Sequence, residues 1–425
     1  MKLEDLSKDE LSQLHARAQS DYLRLCELKL SISMARGVPS SEQLELSNRL
    51  LELPGIGDYI AEDGTDCRNY MGQQGIPEAR RLFAPVLGVP ESQVVVSGNS
   101  SLALMYDCLS FAMRNGVPDS LRPWQQEKET VAFLCPVPGY DRHFTLCEAF
   151  GIRLIPIPML GDGPDMHEVR TLVAQDASIR GMWCVPKYSN PTGTVYSDAV
   201  IEALASMPTA APDFRLFWDD AYTVHHLTSE NIQIENIYEA CSRNGNPNRA
   251  LVFASTSKVT QAGAGLAMLG SSVANIQWWL KHASVRSVGP DKINQLRHVR
   301  FLRDLKGLNA LMESHKALLK PRFDAVLETL QTKLGQHGFA GWSTPKGGYF
   351  ISVDVYPGTA QHVVALAKAA GVQMTDAGAC FPYGIDPLDQ QLRIAPSSPA
   401  VEALRAASEV ICASILLAAC EQKLA

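Results

Sequence analysis

Residues 215–222 read Arg-Leu-Phe-Trp-Asp-Asp-Ala-Tyr, and residues 250–258 read Ala-Leu-Val-Phe-Ala-Ser-Thr-Ser-Lys. Each is a short apolar run, rich in strand-forming residues, that stops abruptly at charged or hydroxyl side chains. Runs of the same kind occur at 93–96, 130–134, 153–156 and 181–185, with ten or more residues between neighbours. That spacing is what βαβ units require, and continuous rather than alternating apolar character suits strands covered on both faces. The expected class is therefore α/β, a large domain whose mostly parallel sheet carries helices on both faces. Ligands in such sheets collect at the carboxyl ends of strands, so the residues that end each run carry the candidate chemistry.

Outward from this centre the pattern changes. Ser7 and Glu10 form a capping-box pair ahead of Leu11, Leu14, Tyr22, Leu25 and Leu28, which predicts one long N-terminal helix. Arg36-Gly37-Val38-Pro39 reads as its glycine cap and proline stop. Ser40 to Pro54 mixes a short helix with loop, and 55–75 is glycine-rich and irregular. Beyond Pro290 a helical stretch runs to about Gln336, with Pro321 expected to kink or break it. A strand at 349–353, a helix at 360–370, a strand at 391–395 and an amphipathic helix from Ala400 then suggest a smaller α/β region.

The chain has 425 residues, of which 46% are hydrophobic and 20% charged, as in ordinary globular proteins. Thirty-eight Lys and Arg against 45 Asp and Glu leave a net charge of -7, which gives no overall attraction to nucleic acid or anionic lipid and leaves small molecules as the expected partners. The N-terminus MKLEDLSKDELSQLH is charged where a signal peptide needs an apolar core, and no stretch approaches eighteen consecutive apolar residues, so a cytoplasmic protein with no membrane partner is expected. The ten cysteines show no CxxC or Cys/His ligand spacing, so no metal site is expected and most should be small buried hydrophobes.

Four polar segments follow the central runs. Ser97-Gly98-Asn99-Ser100-Ser101 opens a helix and offers free N–H groups, hydroxyls and a helix dipole to a phosphate, although small residues at a helix cap look the same. Tyr188-Ser189-Asn190-Pro191-Thr192-Gly193 favours a turn with or without a ligand. Asp219 and Asp220 directly after an apolar strand are costly to bury unless a cation or metal pairs with them. Lys258, after a buried strand and among hydroxyls, has the setting of a lysine with a lowered pKa that acts as a Schiff-base nucleophile. His225-His226 sit side by side on an extended segment, so they point to opposite faces and no direct role is assigned to them. His143, near Tyr140, is a candidate supporting residue.

The order of these segments is more specific than any one of them: a phosphate loop, Pro138-Gly139-Tyr140, then Asn190-Pro191-Thr192-Gly193, Asp219-Asp220-Ala221-Tyr222 and Ser255-Thr256-Ser257-Lys258. In this the sequence resembles the class I/II aminotransferases, pyridoxal-phosphate enzymes of fold type I, from about Gly37 to Arg393. The resemblance implies pyridoxal 5′-phosphate as cofactor and transfer of an amino group between an L-amino acid and a 2-oxo acid such as 2-oxoglutarate. It implies that Lys258 forms the Schiff base and moves the Cα proton, that Asp219 pairs with the pyridine nitrogen, and that Asn190 and Tyr222 bond the cofactor's phenolic oxygen. It implies further that Tyr140 stacks on the ring, that Ser100, Ser101, Ser255 and Ser257 hold the phosphate, and that Arg393 grips the substrate α-carboxylate, with Gly37 adding a backbone N–H or serving simply as a cap. Tyr70, in Arg68-Asn69-Tyr70-Met71-Gly72, resembles the tyrosine that reaches the neighbouring subunit's phosphate, which implies a homodimer with active sites at the interface. Lys346-Gly347-Gly348-Tyr349-Phe350 matches the family's PxGGxF turn. The implied division is a large cofactor-binding domain at 61–300 and a small domain made of 1–60 and 301–425.

One departure stands out. The family usually carries an arginine in a G-x-R-x-G segment after the lysine, whereas residues 261–267 read Gln-Ala-Gly-Ala-Gly-Leu-Ala. The phosphate site is left to hydroxyls and a helix N-terminus, which suggests a divergent subgroup similar to the aspartate aminotransferases of some bacteria and to the catalytic part of MocR-type regulators. Gly263 and Gly265 lack the third glycine of a dinucleotide fingerprint. An acidic substrate needs a second cation, and Arg286, Lys292, Arg297, Arg300 and Arg303 are the candidates, each also readable as part of a solvated helix face. A lyase or decarboxylase on the same fold, and a cofactor-binding sensor protein, are the alternatives; against a DNA-binding regulator, the N-terminal stretch is too short for a winged-helix domain.

Overall fold

The computed structural model describes residues 5–335 and 338–425. With strands numbered along the chain and β1 at Ile32–Ser33, the six apolar runs become β2 (Val94–Val96), β3 (Ala132–Val137), β4 (Arg153–Leu160), β6 (Ile179–Cys184), β7 (Arg215–Asp219) and β8 (Ala250–Ser255). With β5 (Gly163–Pro164) and β9 (Ala267–Gly270) they form one eight-stranded sheet in the order β2-β9-β8-β7-β6-β3-β4-β5. The five strands β4, β3, β6, β7 and β8 run parallel, whereas β9 is antiparallel to both its neighbours. Too few residues separate β8 from β9 for a crossover helix, so the chain can only fold back beside the strand it has left.

Helices α1 (Lys8–Cys26) and α2 (Ser41–Glu45) precede the sheet, and α3 (Pro77–Leu87), α4 (Ser101–Asn115), α5 (Asp141–Ala149), α6 (Met166–Gln175), α7 (Asp198–Ser206), α8 (Ile237–Arg243), α9 (Val273–Arg286) and α10 (Lys292–Leu302) surround it. One face is covered by a core that includes Phe83 of α3, Val173 of α6, Leu204 of α7 and Leu296 of α10. The other is covered by Leu109 of α4, Phe144 of α5 and Trp279 of α9. Apolar cover on both sides is why β2, β6, β7 and β8 show no alternation of exposed residues.

A separate core joins the two ends of the chain. It packs Ala18, Tyr22 and Leu25 of α1 against Phe323 and Val326 of α11 (Leu305–Leu334), Val363 of α12 (Ala360–Ala369) and Val410 and Ile411 of α13 (Val401–Leu424). An antiparallel sheet of β10 (Gly341–Trp342), β11 (Ile351–Asp354) and β13 (Gln391–Ile394) belongs to it, and β1 pairs in parallel with β12 (Val372–Gln373). The first turns of α11, through Leu308 and Met312, pack instead on the central-sheet core. Long and apolar enough to cross a bilayer, α13 has two thirds of its most apolar stretch buried against the rest of the chain, as the core helix of a folded domain does.

The capping box at Ser7 is present, with Glu10 N–H donating to Ser7 Oγ and Ser7 N–H to the Glu10 carboxylate. Two expectations are corrected. The N-terminal helix stops at Cys26 with Glu27 as its cap, so Gly37 is not a helix cap, and Ile32–Ser33 is a strand drawn into pairing with β12. Pro321 does not break its helix: α11 runs through it, with Leu319 and Phe323 buried on either side and Arg322 Nη1 donating to Leu318 O. The break falls earlier, at Arg303 with φ 67°, where Asp304 begins α11 by accepting from Gly307 N–H. Gln336, the expected helix end, lies outside the described residues. All cysteines except Cys26 are buried and none is paired, in line with their reading as small hydrophobes.

Candidate active site

The ends of β2, β3, β6, β7 and β8 open on one cavity of about 550 Å³, within the range of small-molecule sites. From the sheet side it is lined by Ser100, Ser101, Tyr140, Asn190, Asp219, Tyr222, Ser255, Ser257 and Lys258, and from the other side by Gly37, Phe350, Thr375 and Arg393. All the residues expected at the site are therefore brought together, with the exception of Tyr70.

Asp219 is the last residue of β7, and Asp220, next along, faces a different space. Only Asp219 lines the main cavity; Asp220 borders a small neighbouring one with Thr223, His225 and Val259. Burial pushes the Asp220 carboxyl up to about 7, countered by the charge of Lys187, whose own pKa burial lowers. Asp219 is 4% exposed, with Oδ2 3.0 Å from His143 Nε2, while Oδ1 is buried and unpartnered. A carboxylate only accepts, so His143 donates from Nε2. The imidazole is fixed by stacking on Trp183, centroids 4.2 Å apart at 6°. The arrangement holds one carboxylate oxygen rigidly and offers the other, desolvated, to a donor in the cavity.

Lys258 leaves β8 after three hydroxyl residues. Burial lowers its pKa, and the nearby Asp219 charge works in the opposite direction. Its Nζ lies 5.0 Å from the centre of the Tyr222 ring and 5.9 Å from that of Tyr349, and makes no hydrogen bond among the described residues. Tyr222 is buried, which raises its pKa well above the ordinary value, and burial pushes Tyr140 up to about 12 with Asp219 and Asp141 adding to the shift. Both phenols are hydrogen-bond donors at neutral pH. The backbone of Lys258 is held from below, since His225 Nε2–H donates to its carbonyl at 3.3 Å. Burial takes His225 down to about 3, so it stays neutral. His226 turns the other way, to Tyr188 Oη at 2.6 Å, and neither histidine lines the cavity.

A cradle of hydroxyls, from Ser100, Ser101, Ser255 and Ser257, lines the same cavity. Ser100 precedes α4 without using its side chain as a cap, and among the described residues the N–H groups of Ser101 and Leu102 have no backbone partner, whereas those of Ala103 and Leu104 donate to Ser100 O. Ser257 Oγ donates to Asn99 O at 3.4 Å and Ser255 Oγ to Ser257 Oγ at 3.1 Å, which ties the two loops together. Where an arginine segment would run, residues 261–266 are clamped: Leu266 N–H donates to Thr256 Oγ1, and Asn294 Nδ2 to the carbonyls of Ala264 and Gly265. A Cβ on Gly265 would come 2.9 Å from Thr256 Oγ1, so the close approach requires glycine. His298, taken down to about 4 by burial, donates from Nδ1 to Asn294 O and accepts from Thr260 at Nε2. Asn294 and His298 of α10 carried no signal in the sequence because the loop groups they hold lie 29 to 38 positions earlier in the chain.

Arg393 on β13 is 7% exposed. Burial opposes its charge, but Cys380 and Asp141 together raise its pKa above the ordinary value. Nη1 reaches Asp141 Oδ1 at 2.9 Å and Asn190 Oδ1 at 3.4 Å, and Nε reaches Thr375 Oγ1 at 3.3 Å. Gly37 arrives beside it because Met34 N–H donates to Gln373 O and Ala395 N–H to Met34 O. A Cβ there would strike Phe350 Cζ at 2.6 Å, and the Gly37 N–H has no partner among the described residues.

The basic stretch expected to supply a second cation lines no part of this chain's cavity. Arg286 pairs with Asp107 and Arg300 with Asp58, while Lys292 Nζ donates to the carbonyls of Asn69 and Met71 and Arg297 Nε to that of Leu53. Arg303 is the turn residue that ends α10. The cations that do line the cavity, besides Lys258 and Arg393, are Arg36 and Arg142, both exposed and neither in an ion pair among the described residues. Tyr70 is 74% exposed and lies away from its own chain's cavity. Its loop is pinned by the two Lys292 bonds and by Met71 N–H to Val288 O, so Tyr70 and Met71 are held outward on a fixed backbone.

The aspartate amino-transferase family model matches residues 6–425. A putative aminotransferase of Mycolicibacterium smegmatis is 50% identical over 423 residues, 99% of this chain and 99% of that protein. An aspartate aminotransferase of Corynebacterium glutamicum is 46% identical over 419 residues, 99% of this chain and 96% of its own length. The crystal structure of an aspartate transaminase from Corynebacterium glutamicum superposes with a TM-score of 0.97 at 46% identity, covering 99% of both chains.

Proposed function

The chain belongs to the aspartate aminotransferase family and is an aminotransferase, and from that premise we propose that it moves the amino group of an acidic L-amino acid, aspartate or glutamate, to a 2-oxo acid such as 2-oxoglutarate, with pyridoxal 5′-phosphate held at Lys258. The observation that carries the proposal is the convergence on one cavity of an unbonded, desolvated lysine amine, a buried carboxylate with one oxygen unpartnered, and a fixed guanidinium.

The residues fit the cofactor. The unpartnered Asp219 Oδ1 matches a protonated ring nitrogen, and the free N-terminus of α4 with Ser100, Ser101, Ser255 and Ser257 matches a phosphate. When bound, the cofactor supplies an aldehyde that takes up the amino group and a protonated ring that accepts the electron pair left at Cα. Lys258 would hold the aldehyde carbon through its amine and, once released, carry the Cα proton at Nζ; burial, by favouring the neutral amine, suits it to accept that proton. Asp219 would keep the ring nitrogen protonated at Oδ1 while His143 and Trp183 keep the carboxylate from turning. Asn190 and Tyr222 would bond the phenolic oxygen, and Tyr140 would lie on the ring. Arg393 would take the α-carboxylate as a planar fork, with the free Gly37 N–H beside it.

For the second carboxylate of the substrate, the support lies with Arg36 and Arg142 at the cavity rim. Replacing both with alanine is expected to lower kcat/KM for aspartate at least about tenfold relative to a neutral amino acid, because a charge-assisted bond is worth roughly 1.5–3 kcal/mol. Equal losses for both substrates would show that the rim arginines do not read the side chain. With no arginine at the phosphate, hydroxyls carry more of the load, so Ser257→Ala is expected to raise the cofactor Kd about tenfold, followed by absorbance titration of the apoprotein. An unchanged Kd would move the phosphate elsewhere.

The same premise supports a homodimer in which Tyr70 serves the neighbouring site, since Tyr70, Met71, Val285 and Val288 form an exposed apolar surface around a pinned loop. It also supports residues 61–300 as the large domain, with 1–60 and 301–425 as the small one, and a cytoplasmic location. The direct test of function is to bleach the visible band of the loaded protein with L-aspartate and restore it with 2-oxoglutarate. A band that neither bleaches nor returns would overturn the substrate pair.

A further inference from the structure

The guanidinium that the proposed function makes the seat of the substrate α-carboxylate already faces a carboxylate of its own chain. Asp141 Oδ1 lies 2.9 Å from Arg393 Nη1, with the arginine side chain 7% exposed and the aspartate 32%. Asp141 is the first residue of α5, next to Tyr140, whereas Arg393 is on β13 of the other core. The seam between them is closed by two further bonds, Gly139 N–H to Cys380 O at 2.8 Å and Leu154 N–H to Tyr383 Oη at 3.0 Å. We propose that Asp141 is an internal stand-in for the substrate carboxylate: it neutralises Arg393 between turnovers and must release Nη1 before substrate is gripped.

The physical case has three parts. A guanidinium cannot shed its proton, so a buried one needs an anion at all times, and between substrates Asp141 is the carboxylate in contact with it. Displacing Asp141 is cheap, because it is a third exposed to water and sits in the first turn of α5, where the helix dipole stabilises a negative charge with or without Arg393. The exchange nonetheless trades one carboxylate for another, so substrate affinity is lowered by the fraction of molecules in which the internal pair holds the seat. A ligand without a carboxylate cannot make the trade, so Asp141 also sharpens the choice of substrate. It is a positioning residue that acts through Arg393, and it takes no part in proton transfer.

The inference rests on Arg393 being the α-carboxylate seat, and the test separates the two. Maleate, a dicarboxylate with no amino group to transfer, is titrated by calorimetry into the cofactor-loaded native protein, Asp141→Asn, Asp141→Ser and Arg393→Lys. Both aspartate variants are expected to bind maleate about fivefold to tenfold more tightly than native, and to show a KM for aspartate lowered by a similar factor, the effect of losing one partly exposed competing charge. Arg393→Lys is expected to bind it at least about tenfold more weakly, since a point charge replaces a fork. Unchanged or weaker binding in the aspartate variants, with loss in Arg393→Lys, overturns the internal competitor and leaves the seat in place. Native-like binding in Arg393→Lys overturns both.

Discussion

Lys258→Ala is expected to lower the turnover of aspartate by about four orders of magnitude or more, the combined loss of a covalent anchor and of a positioned proton carrier. At 1.36 kcal/mol per decade this is about 5 kcal/mol of barrier, more than removal of any other cavity residue is expected to cost. The fold should survive. Nζ makes no hydrogen bond among the described residues, and the side chain borders an open cavity, so no void is sealed in by its removal. Stability also favours the variant near neutrality. Burial depresses the lysine pKa below its unfolded value, so the unfolded chain binds more protons between the two pKa values and stability rises with pH across that window. Below it the folded protein carries a desolvated cation that alanine removes. Apoprotein melting at pH 7 should therefore be no lower than native, while the loaded variant loses the stabilisation that a covalently held cofactor provides. Near-native turnover in the variant would dismiss Lys258 as the amine that holds cofactor.

Asp219→Ala is expected to cost about three orders of magnitude in kcat, roughly 4 kcal/mol. Without a carboxylate at Oδ1 nothing keeps the ring nitrogen protonated, and the cavity loses the place where the Cα electrons are accommodated. Two structural effects oppose each other in the apoprotein. Alanine relieves a buried carboxylate oxygen without a partner, yet strands the His143 N–H that donates to the other oxygen, each effect being worth roughly 1–3 kcal/mol. Melting of the apoprotein should thus change little while kcat collapses, and that contrast is the signature of a functional acid. Asp219→Asn keeps the shape and the contact with His143 but cannot hold the proton, so its kcat should fall with alanine's. Asp220→Asn should leave kcat within an order of magnitude, because Asp220 borders the neighbouring small cavity. The reverse outcome would exchange the roles of the two acids.

Most of the large sheet was legible because its strands are buried on both faces. A run such as Leu251-Val252-Phe253 has one reading at that length, and its polar end marks the carboxyl edge where ligands bind. The segments that hold Lys258, Asp219, Asn190 and the four serines stood out for the same reason, each within a few residues of a strand end where local order in the chain becomes proximity across parallel strands, and the family resemblance then implied the role of each residue. The N-terminal segment was misread where local signals competed with distant ones. Gly37 followed by Pro39 looks like a helix stop, but the glycine is required by Phe350, more than three hundred residues away, and the helix had already ended at Cys26. Pro321 was expected to kink or break its helix, and packing on α13 and the bonds of Arg322 carry the helix through without a break.

The sequence by itself determined the parallel sheet, the edge at which the chemistry sits and the residue types available there, because burial patterns and strand ends are local properties of the chain. Tertiary structure alone decided which arginines line the cavity and that Arg393 meets Asp141 at 2.9 Å across 252 positions of chain. Of the adjacent acids the resemblance names Asp219, and the alternation of side chains at the end of β7 supplies the reason, placing Asp219 at the main cavity and Asp220 at the neighbouring small one. The arginines of 286–303 looked suitable as a charge cluster, yet each side chain points where its helix is docked, and docking is set by the summed apolar contacts of both cores rather than by any segment alone.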